Sequence, residues 1–206
     1  MTLFEPATFV TDLLLAVLGM VFVFLLRKDE SAGDAKRWWI RAMALMASSA
    51  LLGGCYHGFA PNFQPAVDAI WWRLVLIVIC GLGFAMGMSL LCELRREGER
   101  RGWKLLLGCK LGVAVLVVTL RPEFVVAMAD YGSAMLACLV AAIVCRRPWS
   151  VAMIAGVALS IAAGVAQQGQ WGLSPRFNHN DVFHLIQAMA LFAFYRGGKH
   201  LSSSQG

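Results

Sequence analysis

The sequence predicts an all-α integral membrane protein: a bundle of seven transmembrane helices, amino terminus outside and carboxyl terminus in the cytoplasm. Three observations predict it. Of 206 residues, 59% are hydrophobic and 15% charged, against roughly 25% charged in soluble domains. The apolar residues gather into seven runs close to the ~20 residues that a helix needs to cross a hydrocarbon core of about 30 Å. The Lys and Arg residues concentrate in alternate connecting segments. A soluble enzyme, a disordered chain and a fibrous repeat are excluded, and residues 1–206 read as one domain.

The spans follow in order. Residues 9–26 form the first. Glu5 and Pro6 precede it while Arg27 and Lys28 follow it, the reverse of a cleaved signal. Residues 38–59 form the second, after a charged stretch that contains Gly33. Residues 67–92 form the third, set off by Pro61 and Pro65. The charged segment 93–102 separates it from the fourth, 103–120. Arg121-Pro122-Glu123 turns into the fifth, 124–145, and Arg146-Arg147-Pro148 into the sixth, 149–167. A polar, glycine-bearing stretch leads to the seventh, 175–195. Ser174 is the expected N-cap of that helix, with Pro175 at its first position.

Loop charge sets the orientation. The segments after the first, third, fifth and seventh spans, taken with the first turn of the span that follows, hold fourteen Lys and Arg residues; the opposite segments, counted the same way, hold two, Arg121 and Arg176. Such a bias is the positive-inside pattern. The net charge of +6 therefore reflects topology and not a nucleic-acid partner, which would need a basic stripe. The six cysteines lie in or beside apolar runs without a CxxC pair, as buried thiols do. Gly83 and Gly87 allow close helix packing. Five tryptophans mark span ends, and Trp71 and Trp72, a turn inside the third span, read first as interfacial anchors and second as the lining of a pocket. The absence of an Asn-x-Ser/Thr sequon fits a bacterial inner membrane.

Ionisable groups at membrane depth ask for a partner or a role. His57, Asp68, Asp181 and His184 stand out, with His179 and Asp12 nearby. On this topology all six fall near the outer leaflet, although they come from four different spans. Two or three imidazoles with a carboxylate suit Zn2+, which takes nitrogen and oxygen donors and leaves one position for water. The ion lowers the pKa of that water to about 7 and polarises a carbonyl. Asp68 is placed to take the proton or orient the water. A site between lipid and water suits cleavage of an amide or ester within a lipid-like substrate.

Three short motifs carry a resemblance. Gly53-Gly54-Cys55-Tyr56-His57-Gly58-Phe59 ends the second span. Gln64-Pro65-Ala66-Val67-Asp68 opens the third. Phe177-Asn178-His179-Asn180-Asp181-Val182-Phe183-His184 begins the seventh. This layout resembles the seven-span CREST superfamily, which contains the alkaline ceramidases and the progestin and adipoQ receptors. The spacing from His57 to Asp68 is closer to the ceramidase branch. The resemblance implies a zinc ion held by three histidines, with Asp68 catalytic, in a ceramidase-like hydrolase.

Two features depart from the pattern. The family serine one turn before the first histidine falls at Gly53, and Ser49 lies two turns from His57, about 12 Å along the axis. The family HxxxH has Asn180 at its first position. Either a π-bulge swings His179 toward the metal, or Asn180 or Asp181 fills the slot and His179 stands behind it. The metal set is accordingly read as His57, His179 and His184, with Asp12, Asn180 and Asp181 as supporting groups. The acidic pattern of the ceramidase calcium site is absent from residues 1–12. Two other readings stand beside the hydrolase: a receptor-like or lipid-binding protein on the same scaffold, and a small transporter using Asp12, Asp130, Arg73 and Lys110.

Overall fold

A computed structural model describes residues 1–29, 32–174 and 177–201. Among them the regular structure is helical, with no strand beyond an isolated bridge between Ser174 and Phe177. The helices are α1 (Pro6–Arg27), α2 (Asp34–Phe59), α3 (Pro65–Leu94), α4 (Arg100–Leu120), α5 (Phe124–Cys145), α6 (Ser150–Gln168) and α7 (His179–Gly198). Short 3₁₀ turns at Ala60–Asn62 and Glu97–Glu99 join α2 to α3 and α3 to α4.

The predicted spans match seven helices, and most helices extend a few residues past the apolar runs. Hydropathy reports the apolar stretch, whereas backbone hydrogen bonding continues through the charged turns beside it. Pro6 and Pro65 start α1 and α3 at the first helical positions, where a missing N–H costs nothing. The start of α7 departs from expectation. Pro175 lies outside the described residues, and the helix begins at His179, not in the Ser174–Pro175 pair. Asn178 is the N-cap: its side chain accepts the Asn180 N–H at 2.8 Å, and the Asp181 carboxylate accepts the Asn178 N–H at 2.6 Å. This reciprocal box satisfies two of the free donors at the helix start.

Six helices form a closed ring. α1 packs on α2 and α7, α7 on α6, α6 on α5, α5 on α3, and α3 on α2. α4 stands outside the ring, mainly against α3. Gly83 and Gly87 serve these contacts. Their missing Cβ atoms give room to Asp130 and Tyr131 of α5 and to Leu107 of α4.

Five helices are long and apolar enough to cross a membrane: α1, α3, α4 with the turn before it, α5 and α6. Large apolar side chains cover their outer faces, among them Phe24, Leu106, Leu116, Leu136 and Val151. Soluble monomers rarely expose so much contiguous apolar surface, and these helices are consistent with a membrane protein. α2 and α7 are not among these five; α2 carries His57, and α7 carries Asn180, Asp181, His184 and Gln187.

The tight core occupies one end of the ring. Phe22, Leu26, Trp39, Trp149, Met153, Leu191 and Phe194 pack there. Gly198 lies flat against the Trp39 ring, and a Cβ on Gly156 would stand 2.5 Å from the Phe194 ring. The other end encloses a cavity.

Candidate functional site

The cavity has a volume of about 620 Å³ and is lined by all six ring helices, a size typical of small-molecule sites. No α4 residue lines it. Its walls are mostly apolar: Trp72, Val75 and Ile79 from α3, Phe124, Met128 and Met135 from α5, Ile161 and Val165 from α6, and Phe183 from α7. Asp12, His57, Asn180 and His184 face it from α1, α2 and α7.

Close packing of α1 on α2 positions Asp12. A Cβ on Gly54 would lie 2.7 Å from the Asp12 Cβ, so only glycine admits this approach. Asp12 is 3% exposed. Its Oδ1 lies 3.1 Å from His184 Nε2, and its Oδ2 is buried with no hydrogen-bond partner. Gly53 is next to it, with both carboxylate oxygens 4.0 Å from where a Cβ would stand. The carboxylate of Asp12 thus lies before the position at which the resemblance expects a serine hydroxyl.

Thr11 fixes the His184 ring. Thr11 Oγ1 lies 2.9 Å from His184 Nδ1, 3.3 Å from Asp181 Oδ1 and 3.1 Å from the Thr8 carbonyl. The hydroxyl has one proton, and its neighbours Asp181 and Thr8 offer only acceptors. The arrangement that satisfies every group has Thr11 donating to one of them and accepting from His184 Nδ1–H. In a neutral ring Nε2 is then a bare lone pair facing a carboxylate oxygen. Two lone pairs at 3.1 Å need a cation between them, whether a proton or a metal ion.

The donor chemistry fits zinc. Neighbouring donors on a tetrahedral zinc with bonds of ~2.0–2.1 Å lie about 3.3 Å apart, close to the Asp12–His184 spacing. A ligating imidazole usually donates its other ring N–H to a fixed acceptor, and here the Thr11 hydroxyl fills that place. The buried Oδ2 supplies a further donor. The third imidazole, His57, is on the same cavity wall, with Nδ1 3.7 Å from Glu5 Oε2. No three His, Cys, Asp or Glu side chains among the described residues are already gathered as a metal cluster.

The other expected site residues fall elsewhere. His179 is the first residue of α7, half-buried, and does not line the cavity; Asn180 does. The capping box starts a regular α-helix there, and α7 has no π-bulge. Asp181 is fully buried and bonds to Thr11 and to the helix cap. Asp68 lies in the first turn of α3, half-buried beside Tyr56 and off the cavity. Of the two internal tryptophans, Trp72 lines the cavity, while Trp71 donates to the Leu52 carbonyl at 3.0 Å. Sequence reading missed Thr11, which looks like any threonine in an apolar run. It also missed Tyr131, Ser160 and Gln187, which line the cavity from α5, α6 and α7. A polar residue recurring at equal depth in three spans was the available signal. The amino-terminal segment was missed as well: Phe4 N–H donates to the Gly58 carbonyl, and Thr2 pairs with Asn62.

Residues 7–203 match a family described as a family of unknown function, DUF6962. The chain belongs to the DUF6962 family. The match takes in all seven helices except Pro6, the first residue of α1, and every residue that lines the cavity. No curated protein and no solved structure matches this DUF6962 member.

Proposed function

We propose that this protein is a seven-span membrane hydrolase, amino terminus outside, that cleaves an amide or ester bond of a lipid-like substrate at a zinc ion held by Asp12, His57 and His184. The observation that carries this reading is the buried Asp12–His184 pair, with lone pairs facing each other and a carboxylate oxygen left over, on the wall of an apolar cavity. All seven helices cross the bilayer, because the polar faces of α2 and α7 turn into the ring. The cytoplasmic side is the basic end, and the cavity lies near the extracytoplasmic face of a bacterial inner membrane.

A bound zinc ion supplies a Lewis acid and an acidified water at neutral pH. The rest is the work of the chain. Thr11 locks the His184 ring so that Nε2 faces the cavity. Asp12 Oδ2 accepts a proton released near the scissile carbonyl, the role that sequence reading gave to Asp68. Trp72, Phe124, Met128 and Ile161 exclude bulk water and hold an acyl chain along the cavity. Asn180 offers an amide N–H toward the same space. This moves the reading from the three-histidine set to one with a carboxylate.

A second reading, a lipid-binding or receptor-like protein without turnover, is favoured by one observation: both His184 ring nitrogens have partners within the chain. One experiment separates the two. Purified protein is assayed for zinc by mass spectrometry, and for release of fatty acid from N-acyl and O-acyl lipids before and after chelation. Stoichiometric zinc with chelator-sensitive turnover supports the hydrolase. Binding of the same lipids without metal or turnover supports the receptor. Arg73, Lys110 and Asp130 do not line the cavity, and Lys110 and Asp130 pair with each other at 2.5 Å, which gives a transport path through them no support.

A further inference from the structure

The cavity has a second polar station that the proposed reaction does not use. Tyr131, Ser160 and Gln187 line it from α5, α6 and α7. Each is seven or eight residues from the cavity end of its helix, so all three lie about 10–12 Å below that end. Ser160 is 5% exposed. The Tyr131 hydroxyl lies close to both Ser160 and Gln187. Even so, Ser160 Oγ and Gln187 Oε1 are buried with no hydrogen-bond partner. Buried polar atoms in membrane proteins are normally satisfied, because hydrocarbon offers them nothing. Two unfilled positions from different helices, both on one cavity wall, mark where a ligand's polar group belongs. A plain hydrocarbon chain would leave them only the Tyr131 hydroxyl, whose single proton cannot serve both.

The ligand's geometry follows from α7. His184 and Gln187 both line the cavity, and Gln187 is three residues, about 4.5 Å, deeper along the axis. A bond length near 1.5 Å makes this about three bonds. Below this station the lining is mostly apolar, with Leu15, Met46, Leu82 and Met135, and the Ser49 hydroxyl there donates to the Met46 carbonyl. The inner station is therefore on the path of the acyl chain, between the carbonyl and the rest of the hydrocarbon.

Resting on the proposed hydrolase reading, we propose that Tyr131, Ser160 and Gln187 form a specificity subsite for a hydroxyl on the substrate's acyl chain. That hydroxyl stands about three bonds from the scissile carbonyl carbon, as in a 3-hydroxyacyl lipid. It donates to Gln187 Oε1 or Ser160 Oγ and accepts from the Tyr131 or Ser160 hydroxyl.

The test is equilibrium binding to the purified full chain in nanodiscs, with three radiolabelled probes: N-dodecanoylglycine, N-(3-hydroxydodecanoyl)glycine and N-dodecanoylserine. The 3-hydroxy probe is expected to bind about tenfold more tightly than the plain chain, the worth of one net hydrogen bond. The Ser160→Ala, Gln187→Met double variant should abolish that preference while still binding the plain probe, which also shows that it is folded. Equal affinity for plain and 3-hydroxy probes overturns the proposal. So does a preference that survives the double variant, a preference for the serine probe, whose hydroxyl is on the amine side, or failure of all three to bind. Binding is read without turnover, so the two readings fail separately. A 3-hydroxy preference without hydrolysis keeps the subsite and removes the enzyme; hydrolysis without the preference does the reverse.

Discussion

The two ends of the bundle bury charge in opposite ways. At the packed end Glu93 is 1% exposed, and it accepts from Trp149 Nε1 at 2.9 Å and from Arg147 at 3.3 Å. Arg100 is also buried there and donates to the Cys92 and Arg95 carbonyls and to Asp34. Lys36 pairs with Asp29, and Ser89 donates to the Ala35 carbonyl. At the cavity end Asp12, Ser160 and Gln187 each leave an oxygen unsatisfied. Buried charge alone therefore does not mark a functional site. Glu93 and Arg100 are as buried as Asp12, yet neither leaves a buried nitrogen or oxygen without a partner, as Asp12 Oδ2 does. The mark is an unsatisfied group beside open volume.

The comparison can be broken by substitution. The largest effect on stability is expected from Glu93→Ala, which leaves the buried Trp149 N–H without its acceptor and the half-exposed Arg147 without its carboxylate, and lowers stability by about 1–3 kcal/mol. Denaturant titration in detergent checks this, and turnover per folded molecule should not change. His57→Ala should act the other way round. His57 is half-buried and its loss strands no buried partner, so the thermal midpoint should hardly move. Turnover should fall about 10³-fold, several kcal/mol of lost transition-state stabilisation. Full activity in that variant would remove His57 from the site.

Smaller effects sharpen the picture. Thr11→Val keeps the shape but frees the His184 ring. It should reduce zinc affinity about 10–100-fold, read by competition with a chromophoric chelator, at a stability cost of about 1 kcal/mol. The adjacent glycines give the finest contrast. Gly54→Ala drives a methyl group into Asp12 and should cost about 1–3 kcal/mol. Gly53→Ser meets only the two carboxylate oxygens at ordinary distance and should stay within about 0.5 kcal/mol of the parent. Equal destabilisation by both would contradict the α1–α2 packing that positions Asp12.

Much of the fold was legible in the chain. Seven apolar runs became seven helices, because in hydrocarbon the backbone must satisfy its own hydrogen bonds and a long apolar run has no other local option. The two prolines at helix starts and the charged breaks between runs are local signals, and they were read correctly. His57, Asp12, Asn180 and His184 were also legible as polar groups out of place in a membrane. The start of α7 was misread because two capping signals, Ser174-Pro175 and Asn178 with Asp181, compete within a few residues. The sequence does not weigh one against the other.

The sequence by itself determined the helical class, the helices and the helix ends at which these polar groups lie, since hydropathy and spacing act along one chain. Only the tertiary structure decided which of those groups meet. Asp12 reaches His184 because Gly54 lets α1 lie close against α2 and because α7 closes the ring against α1. Asp68 and His179 lie at the same end of their helices but do not line the cavity, since rotation of a helix about its axis is set by packing against its neighbours. A side chain's membrane depth is written in its own helix; its partner is chosen by the others.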